Sequence, residues 1–223
     1  MGRSLAVVVA SGGMDSCVAA AVAAQDHDLG FLHVNYGQRT ERRELRAFEE
    51  IADFYGVSRR LVVDARCLSA VGGSSLTDAS MPVPEADVDR WEVPTTYVPF
   101  RNAHLLCIGV SWAEALGARK VYVGVEVESG YPDCSAGFIE AFNRAVTAGT
   151  RPGSGIEVVA PLVAMKKAGV VRLGMALGAP LHLTWSCYRS EGLACGRCDS
   201  CALRLRGFRL AGVKDLIAYA RPD

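Results

Sequence analysis

The residues from Ala10 to Cys17, ASGGMDSC, place two glycines and an aspartate between an apolar run and an alanine-rich segment. Glycines at such a turn allow positive φ and close approach of a ligand, and a following helix offers unpaired N–H groups at its positive end. This arrangement suits a phosphate, although the P-loop and dinucleotide patterns are absent from the sequence. Asp15 fits such a site if Mg²⁺ bridges it to the phosphate. The alternative is that Asp15 or Ser16 only caps the helix.

Four cysteines near the C-terminus could hold a metal ion. They follow the spacing C-x7-C-x2-C-x2-C at Cys187, Cys195, Cys198 and Cys201. Four thiolates can bind Zn²⁺ tetrahedrally and leave no open position for water, so the zinc would be structural. An iron–sulfur cluster and metal-free thiols or disulfides are the alternatives. Two further cysteines, Cys17 and Cys107, are predicted to be core residues.

Composition limits the function classes. Half of the 223 residues are hydrophobic, and 24 lysines and arginines balance 24 aspartates and glutamates. A neutral chain has no global field to attract nucleic acid or an anionic membrane. The N-terminus lacks the apolar core of a signal peptide, and no run approaches the roughly 18 apolar residues of a membrane span. We expect a cytoplasmic protein with small-molecule substrates and neither direct nucleic-acid nor membrane binding, and we leave a homodimer open.

Short valine-rich runs alternate with longer amphipathic segments, which is typical of a parallel sheet covered by helices. Strands are predicted at residues 4–9, 30–35, 59–64, 120–125 and 156–160, and helices at 40–56 and 101–117. Residues 71–99 lack periodicity and predict a long loop over the functional edge of the sheet. The expected fold is α/β, a Rossmann-like parallel sheet with helices on both faces. Residues 1–183 would form this domain, with a zinc-binding segment at 184–223 packed on it.

The stretch SGGMDS resembles the S-G-G-x-D-S motif of the ATP pyrophosphatases, which bind ATP, adenylate a substrate oxygen and release pyrophosphate. The predicted fold is therefore that of this superfamily. The resemblance implies a loop that cradles the ATP phosphates. That loop comprises Ala10, Ser11, Gly12, Gly13, Met14, Asp15 and Ser16.

A narrower resemblance runs over nearly the whole chain. The chain is similar to the 7-cyano-7-deazaguanine (preQ0) synthase family of queuosine biosynthesis in VVVASGGMDS, VNYGQRTERRE, GGSSLTD, VPTTYVPFRNAHLL, YVGVEVESGYPDCSAGFIEAFN, VVAPLVAMKKAGVVRLGMALG and the four-cysteine tail. The resemblance implies a ligase that uses Mg-ATP to convert 7-carboxy-7-deazaguanine and ammonia into the nitrile, through adenylated acid and amide intermediates. It also implies that the four cysteines bind zinc.

Several residues at the predicted edge of the sheet are candidates for contacts with substrate. Arg101 in YVPFRN can direct a guanidinium toward phosphate or carboxylate, whereas Asn102 either contacts substrate or caps a helix. Tyr131 and Asp133 lie in SGYPDC. Asp133 could accept hydrogen bonds from the N–H donors of a deazaguanine, or it could stabilise a local turn. Tyr36 and Gln38 follow the second strand and could contact adenosine. The predicted substrate-binding residues are Tyr36, Gln38, Arg101, Asn102, Tyr131 and Asp133.

The adjacent Lys166 and Lys167 begin a predicted helix, where a cation opposes the helix dipole. One of them is therefore expected to face phosphate. Lys166 is assigned to the catalytic set, which comprises Asp15, Ser16, Arg101 and Lys166. The four histidines form no spaced pair and are expected to be structural.

The sequence departs from the family pattern in one place. The pattern G-V-N-x-x-D-[YS]-S-G-Y-P-D-C-R is altered to GVEVESGYPDCS, with Glu126 in place of asparagine and Ser135 in place of arginine. Alternatives therefore stay open: an amide synthase, a ligase for another acceptor, or a tRNA-modifying enzyme whose cysteine segment binds nucleic acid. A nucleotide-binding regulator without activity is a further alternative.

Overall fold

A five-stranded parallel sheet forms the centre of the molecule. The computed structural model describes residues 2–220, and the strands lie in the order β3-β2-β1-β4-β5. They are β1 Ser4–Val9, β2 His27–Asn35, β3 Arg59–Asp64, β4 Lys120–Val123 and β5 Glu157–Val159. Because the order reverses at β1, a crevice opens beyond the carboxyl ends of β1 and β4, where open α/β sheets bind ligands.

Alternation along β1 sends its side chains into two separate cores. Ala6 and Val8 join one core, and Val7 and Val9 join the other. All four are buried, as expected for a strand covered on both faces. Helices must therefore cover both sides of the sheet.

Seven α-helices are described. They are α1 Met14–Asp26, α2 Glu41–Phe54, α3 Cys67–Val71, α4 Arg101–Leu116, α5 Ala136–Gly149, α6 Lys167–Ala176 and α7 Asp199–Ala211. Helices α1, α2, α6 and α7 contribute to the first core, for example through Phe48, Val170 and Phe208. Helices α4 and α5 contribute to the second, through Leu106 and Ile139. The prediction of a parallel sheet with helices on both faces is confirmed.

The C-terminal segment is held to the sheet domain by a buried arginine. Arg204 is 1% exposed and forms a 2.6 Å ion pair with Asp215. Its guanidinium also donates to Thr184 Oγ1 at 2.6 Å and to Leu181 O at 3.0 Å. A buried charge is tolerated only with such partners, so these contacts fix the end of the chain. The division at residue 183 stays a prediction.

The five predicted strands and the predicted helices at 40–56 and 101–117 are present, but several of their ends differ, and α3, α5 and α7 were not predicted. Strand β2 begins at His27 rather than at residue 30, and β4 ends at Val123 rather than at 125. The prediction that Cys107 is a core residue is wrong, because Cys107 lies on the exposed face of α4, whereas Cys17 is buried as predicted. Residues 72–99 contain no helix or strand, which confirms the long loop.

Candidate active site and metal centre

The turn between β1 and α1 presents free backbone N–H groups to the crevice. Gly12 adopts φ +82°, and Gly13, directly before α1, provides no side-chain cap for the helix. Ser11 Oγ accepts a hydrogen bond from Gly13 N at 3.1 Å, and Ser16 Oγ donates to Gly13 O at 3.0 Å. The two serines therefore shape the turn, and the first N–H groups of α1 are left for a ligand.

This turn is clamped from two sides. A Cβ on Gly12 would lie 2.4 Å from Glu44 O in α2. The Gly12 carbonyl accepts a hydrogen bond from Trp185 N at 2.9 Å. Gly12 is thus required both by its positive φ and by the close approach of α2.

A lysine lies between two carboxylates beside the turn. Lys167 Nζ is 2.8 Å from Asp15 Oδ2 and 3.0 Å from Glu126 Oε1. Lys167 and Glu126 are buried, whereas the Asp15 side chain is 27% exposed. Burial disfavours the charged ammonium, but Asp15 and Glu126 outweigh it and raise the pKa of Lys167. Burial raises the pKa of Glu126, and Lys167 opposes this shift.

The β4 side of the crevice leaves no room beside the turn. A Cβ on Gly124 would lie 2.4 Å from both Asp15 C and Ser16 N, which are backbone atoms that cannot move aside independently. Glycine at this position therefore lets the phosphate turn pack directly against the end of β4.

Substitution Gly124→Ala is expected to destabilise the protein by about 1–3 kcal/mol and to weaken the ATP binding that the sequence predicts, because overpacking displaces the turn. The matched control is Gly137→Ala in α5, where a Cβ meets no atom within 4 Å. Urea unfolding and ATP titration of both variants provide the measurement. Equal stability and affinity in Gly124→Ala and Gly137→Ala would contradict the prediction.

Arg101 lies at the opposite side of the crevice among aromatic rings. Its NH1 donates to Tyr36 Oη at 3.0 Å, and its guanidinium lies 5.5 Å from the Tyr36 ring centroid and 5.8 Å from that of Tyr131. The Arg101 Nε is buried without a hydrogen-bond partner. A guanidinium in this state has unused donors for a carboxylate or phosphate. The preceding Phe100 has φ 56°, a strained conformation of the kind found at functional sites.

Asn102 and Asp133 join two loops of the site. Asp133 Oδ2 accepts from Asn102 N at 2.8 Å, and Asn102 Nδ2 donates to Cys134 Sγ at 3.2 Å. Asp133 is 3% exposed, and burial raises its pKa while the Asn102 donors oppose the shift. Its carboxylate thus satisfies the first turn of α4 and holds SGYPDC against YVPFRN. Ser135 caps α5 by accepting from Phe138 N at 3.2 Å.

The turn, the lysine with its two carboxylates, and Arg101 border one cavity of about 260 Å³. Its apolar part is formed by Val9, Leu32, Val34 and Val123 at the ends of three strands, and Leu105 of α4 adds to it. The long loop contributes residues from Asp87 to Thr96 to the rim. Such a mixture of apolar walls and few polar groups is typical of small-molecule sites.

The predicted site residues are distributed unevenly around this cavity. The residues lining it include Ala10, Ser11, Gly13, Met14, Asp15, Ser16, Tyr36, Arg101, Asn102 and Tyr131. Gly12, Gln38 and Asp133 lie behind its wall; Gln38 Oε1 accepts from Tyr36 N at 2.9 Å. The choice of Lys166 requires correction, since Lys166 is exposed outside the cavity and the adjacent Lys167 lines it.

Sequence reasoning missed several lining residues. Glu44 and Glu128 were not singled out, and Glu126 was noted only as a departure from a pattern. Tyr188 and Asp199 come from the cysteine segment, which forms one wall of the cavity. The spacing of the cysteines predicts a metal site but does not indicate that the residues between and beside them form a wall of the cavity.

The four predicted metal ligands come together. The sulfur atoms of Cys187, Cys195, Cys198 and Cys201 all lie within 4.8 Å of one another. Tetrahedral zinc with bonds of about 2.3 Å requires sulfur separations of roughly 3.8 Å, so the cluster is close to that size. Ligands of an iron–sulfur cluster bind separate irons and spread more widely. Cys195 N donates to Cys187 Sγ at 3.3 Å, a contact that favours a thiolate.

The segment that carries the four cysteines is connected to the rim of the cavity. Asp199, next to Cys198, accepts from Asp87 N at 2.9 Å and forms a 3.1 Å ion pair with Arg90. Ala86 N donates to Arg197 O at 2.8 Å. The rim loop is therefore anchored on the cysteine segment. Over residues 2–220, no helix is both long and apolar enough to cross a membrane.

The parallel strand order and the four clustered cysteines define a Rossmann-like α/β class with a C-terminal segment that could hold a metal ion. Comparison with known proteins gives the particular family. The family model described as queuosine biosynthesis protein QueC matches residues 5–212, and the chain belongs to this family.

Curated relatives match over nearly the full length. The protein named 7-cyano-7-deazaguanine synthase of Chlorobaculum parvum is 54% identical over 225 residues, covering 98% of each chain. The proteins of the same name from Chlorobaculum tepidum and Chlorobium phaeovibrioides are 54% and 55% identical over 222 residues, again covering 98% of each chain.

Proposed function

We propose that this protein is a cytoplasmic, ATP-dependent 7-cyano-7-deazaguanine synthase. The observation that carries the proposal is one cavity with a phosphate-binding turn on one side and the partly unsatisfied Arg101 on the other. Membership of the family, with its relatives at 54–55% identity, supports the substrate class. The substrates are 7-carboxy-7-deazaguanine, ammonia and ATP.

In this proposal the glycine turn and the N-terminus of α1 bind the ATP phosphates. Asp15 would hold Mg²⁺, which would neutralise charge on the phosphates, and the Lys167 ammonium, 2.8 Å from Asp15, would add a second positive charge there. Arg101 holds the carboxylate of the acid near the α-phosphate, with Tyr36 and Tyr131 orienting its guanidinium. The apolar walls exclude water that would hydrolyse an acyl adenylate.

In the proposed reaction, one site activates the substrate twice, first as the acid and then as the amide. A carboxylate oxygen attacks the α-phosphorus, pyrophosphate leaves, and ammonia displaces AMP from the acyl carbon to give the amide. The amide oxygen is adenylated in turn, and AMP departs as the nitrile forms. The four cysteines would hold a structural zinc ion, which supplies rigidity to the wall formed by Tyr188 and Asp199.

The decisive test is incubation of the purified protein with 7-carboxy-7-deazaguanine, ammonium and Mg-ATP, followed by mass spectrometry. The expected product is 7-cyano-7-deazaguanine, with two AMP formed for each nitrile. Omission of the acid should stop AMP formation, and added tRNA should not replace it. Accumulation of the amide alone would place the end point one step earlier. Formation of neither product by zinc-containing protein would contradict the substrate assignment.

A further inference from the structure

Glu44 lines the same cavity as Asp15 and Arg101. It lies in the first turn of α2, is partly buried, and has its backbone oxygen against the glycine turn. Its carboxyl group is close enough to the Arg101 guanidinium for the two charges to interact, which places it near the arginine side of the cavity. Neither the phosphate turn nor the arginine site requires an acid at this position.

The neighbours of Glu44 leave it able to exchange a proton. Thr40 Oγ1 donates to Oε1 at 2.7 Å, and Gln38 Nε2 donates to Oε2 at 3.1 Å, so each oxygen retains accepting capacity. Burial raises its pKa to about 6; Thr40, Gln38 and Arg101 oppose the shift, and Glu41 adds to it. Its protonated and ionised forms are both accessible near neutrality.

The other acids in the cavity are committed elsewhere. Asp15 and Glu126 share Lys167. Glu128 accepts from Arg206 NH2 at 2.7 Å, and Asp199 pairs with Arg90. Burial keeps the pKa of Cys134 at about 11 and that of Tyr36 at about 12. Asp87 and Glu92 belong to the exposed rim, and none of the four histidines, all within residues 2–220, lines the cavity.

The proposed reaction creates a need that Glu44 can meet. At neutral pH the nitrogen donor is mostly ammonium, which has no lone pair for attack. We propose that Glu44 is a catalytic residue that binds ammonium in the cavity and accepts the proton it must lose. This inference rests on the proposed function, since it assumes an acyl adenylate as the electrophile.

The step is balanced in atoms and charge. One ammonium proton moves to the Glu44 carboxylate, and the nitrogen lone pair forms the C–N bond. The C–O bond to the adenylate breaks, AMP leaves with the bonding electrons, and the second proton is lost from nitrogen to water. Glu44 returns its proton to solvent before the next cycle.

The test compares two nucleophiles in Glu44→Gln. Hydroxylamine is largely neutral at pH 7 and traps an acyl adenylate as a hydroxamate without prior deprotonation. We expect amide formation from ammonium to fall roughly 100-fold, whereas hydroxamate formation stays within about twofold of wild type. The rise of wild-type amide formation as pH passes about 6, where ionised Glu44 becomes available, should disappear. Residual activity in the variant should instead grow at alkaline pH with the free ammonia fraction.

The matched control is Glu49→Gln, an exposed carboxylate on the same helix, which should change neither rate. Equal loss with both nucleophiles would overturn the proposal and assign Glu44 a structural role in holding Thr40 and Gln38. Unchanged ammonia use would overturn it too. Failure of the proposed function is distinguishable, because wild-type protein would then release no pyrophosphate when the acid is added.

Discussion

Substitution Asp15→Ala is expected to reduce acid-dependent release of AMP and pyrophosphate by on the order of 10³-fold or more, because it removes the carboxylate that we propose holds Mg²⁺ at the phosphates. The fold should persist. Lys167 keeps its 3.0 Å ion pair with Glu126, so no buried charge is left without a partner. Steady-state AMP formation, circular dichroism and zinc content measure these effects.

The control for this variant is Asp28→Ala, which removes an exposed carboxylate of β2 away from the cavity. It should retain wild-type AMP release. If the Asp15→Ala protein still adenylated the acid at near wild-type rate, the alternative role would hold, in which Asp15 only stabilises the N-terminus of α1. Loss of zinc or of helical structure would also contradict the expected separation of activity from folding.

Which of the two lysines lines the cavity depends on where α6 begins and on how this helix is rotated. The local sequence indicates neither. Lys166 is the residue before α6 and Lys167 its first residue, so their side chains diverge. The packing of α7 on α6 determines the direction of Lys167: a Cβ on Gly207 would lie 2.6 Å from its Cγ. A contact between residues 40 positions apart is not visible in local periodicity.

Patterned features were predictable for a physical reason. A buried parallel strand favours valine-rich runs, a phosphate-binding turn requires small residues, and four thiolate ligands require close spacing. Each feature therefore corresponds to a short pattern that is visible in the sequence. Glu126 illustrates the opposite case. As a sequence difference it suggested an altered substrate edge, but in the structure it pairs with Lys167 and is 2% exposed. Its partner is 41 residues away along the chain.

Asp133 shows why a motif does not assign a role by itself. Its position in SGYPDC predicted contact with the substrate, and that role stays a prediction. The structure adds that both carboxylate oxygens accept hydrogen bonds from Asn102, whose side chain lines the cavity. Asp133 can therefore act on a ligand through Asn102 and the start of α4, which local sequence could not indicate.

Substitution Cys198→Ser is expected to remove the bound metal and to lower stability by at least about 3 kcal/mol, because metal binding energy at a structural site is folding energy. Cys198 is fully buried and is the N-cap residue directly before α7, so the loss should spread into this helix. The loss of stability should also reach the rim loop, since Asp199 accepts a hydrogen bond from Asp87 N and forms an ion pair with Arg90. Zinc analysis, urea unfolding and amide hydrogen exchange of residues 86–90 measure the three consequences.

The matched control is Cys107→Ser, which alters an exposed free thiol outside the cluster and should keep metal content, stability and exchange unchanged. The comparison separates metal binding from a general effect of losing a cysteine. If Cys198→Ser retained one metal ion per chain, the cluster would not be a four-thiolate centre. If it lost the metal while residues 86–90 kept their protection, the rim would be anchored by its polar contacts alone. The expected result, joint loss, would mean that the same ion that stabilises the C-terminal segment also holds one wall of the cavity in place.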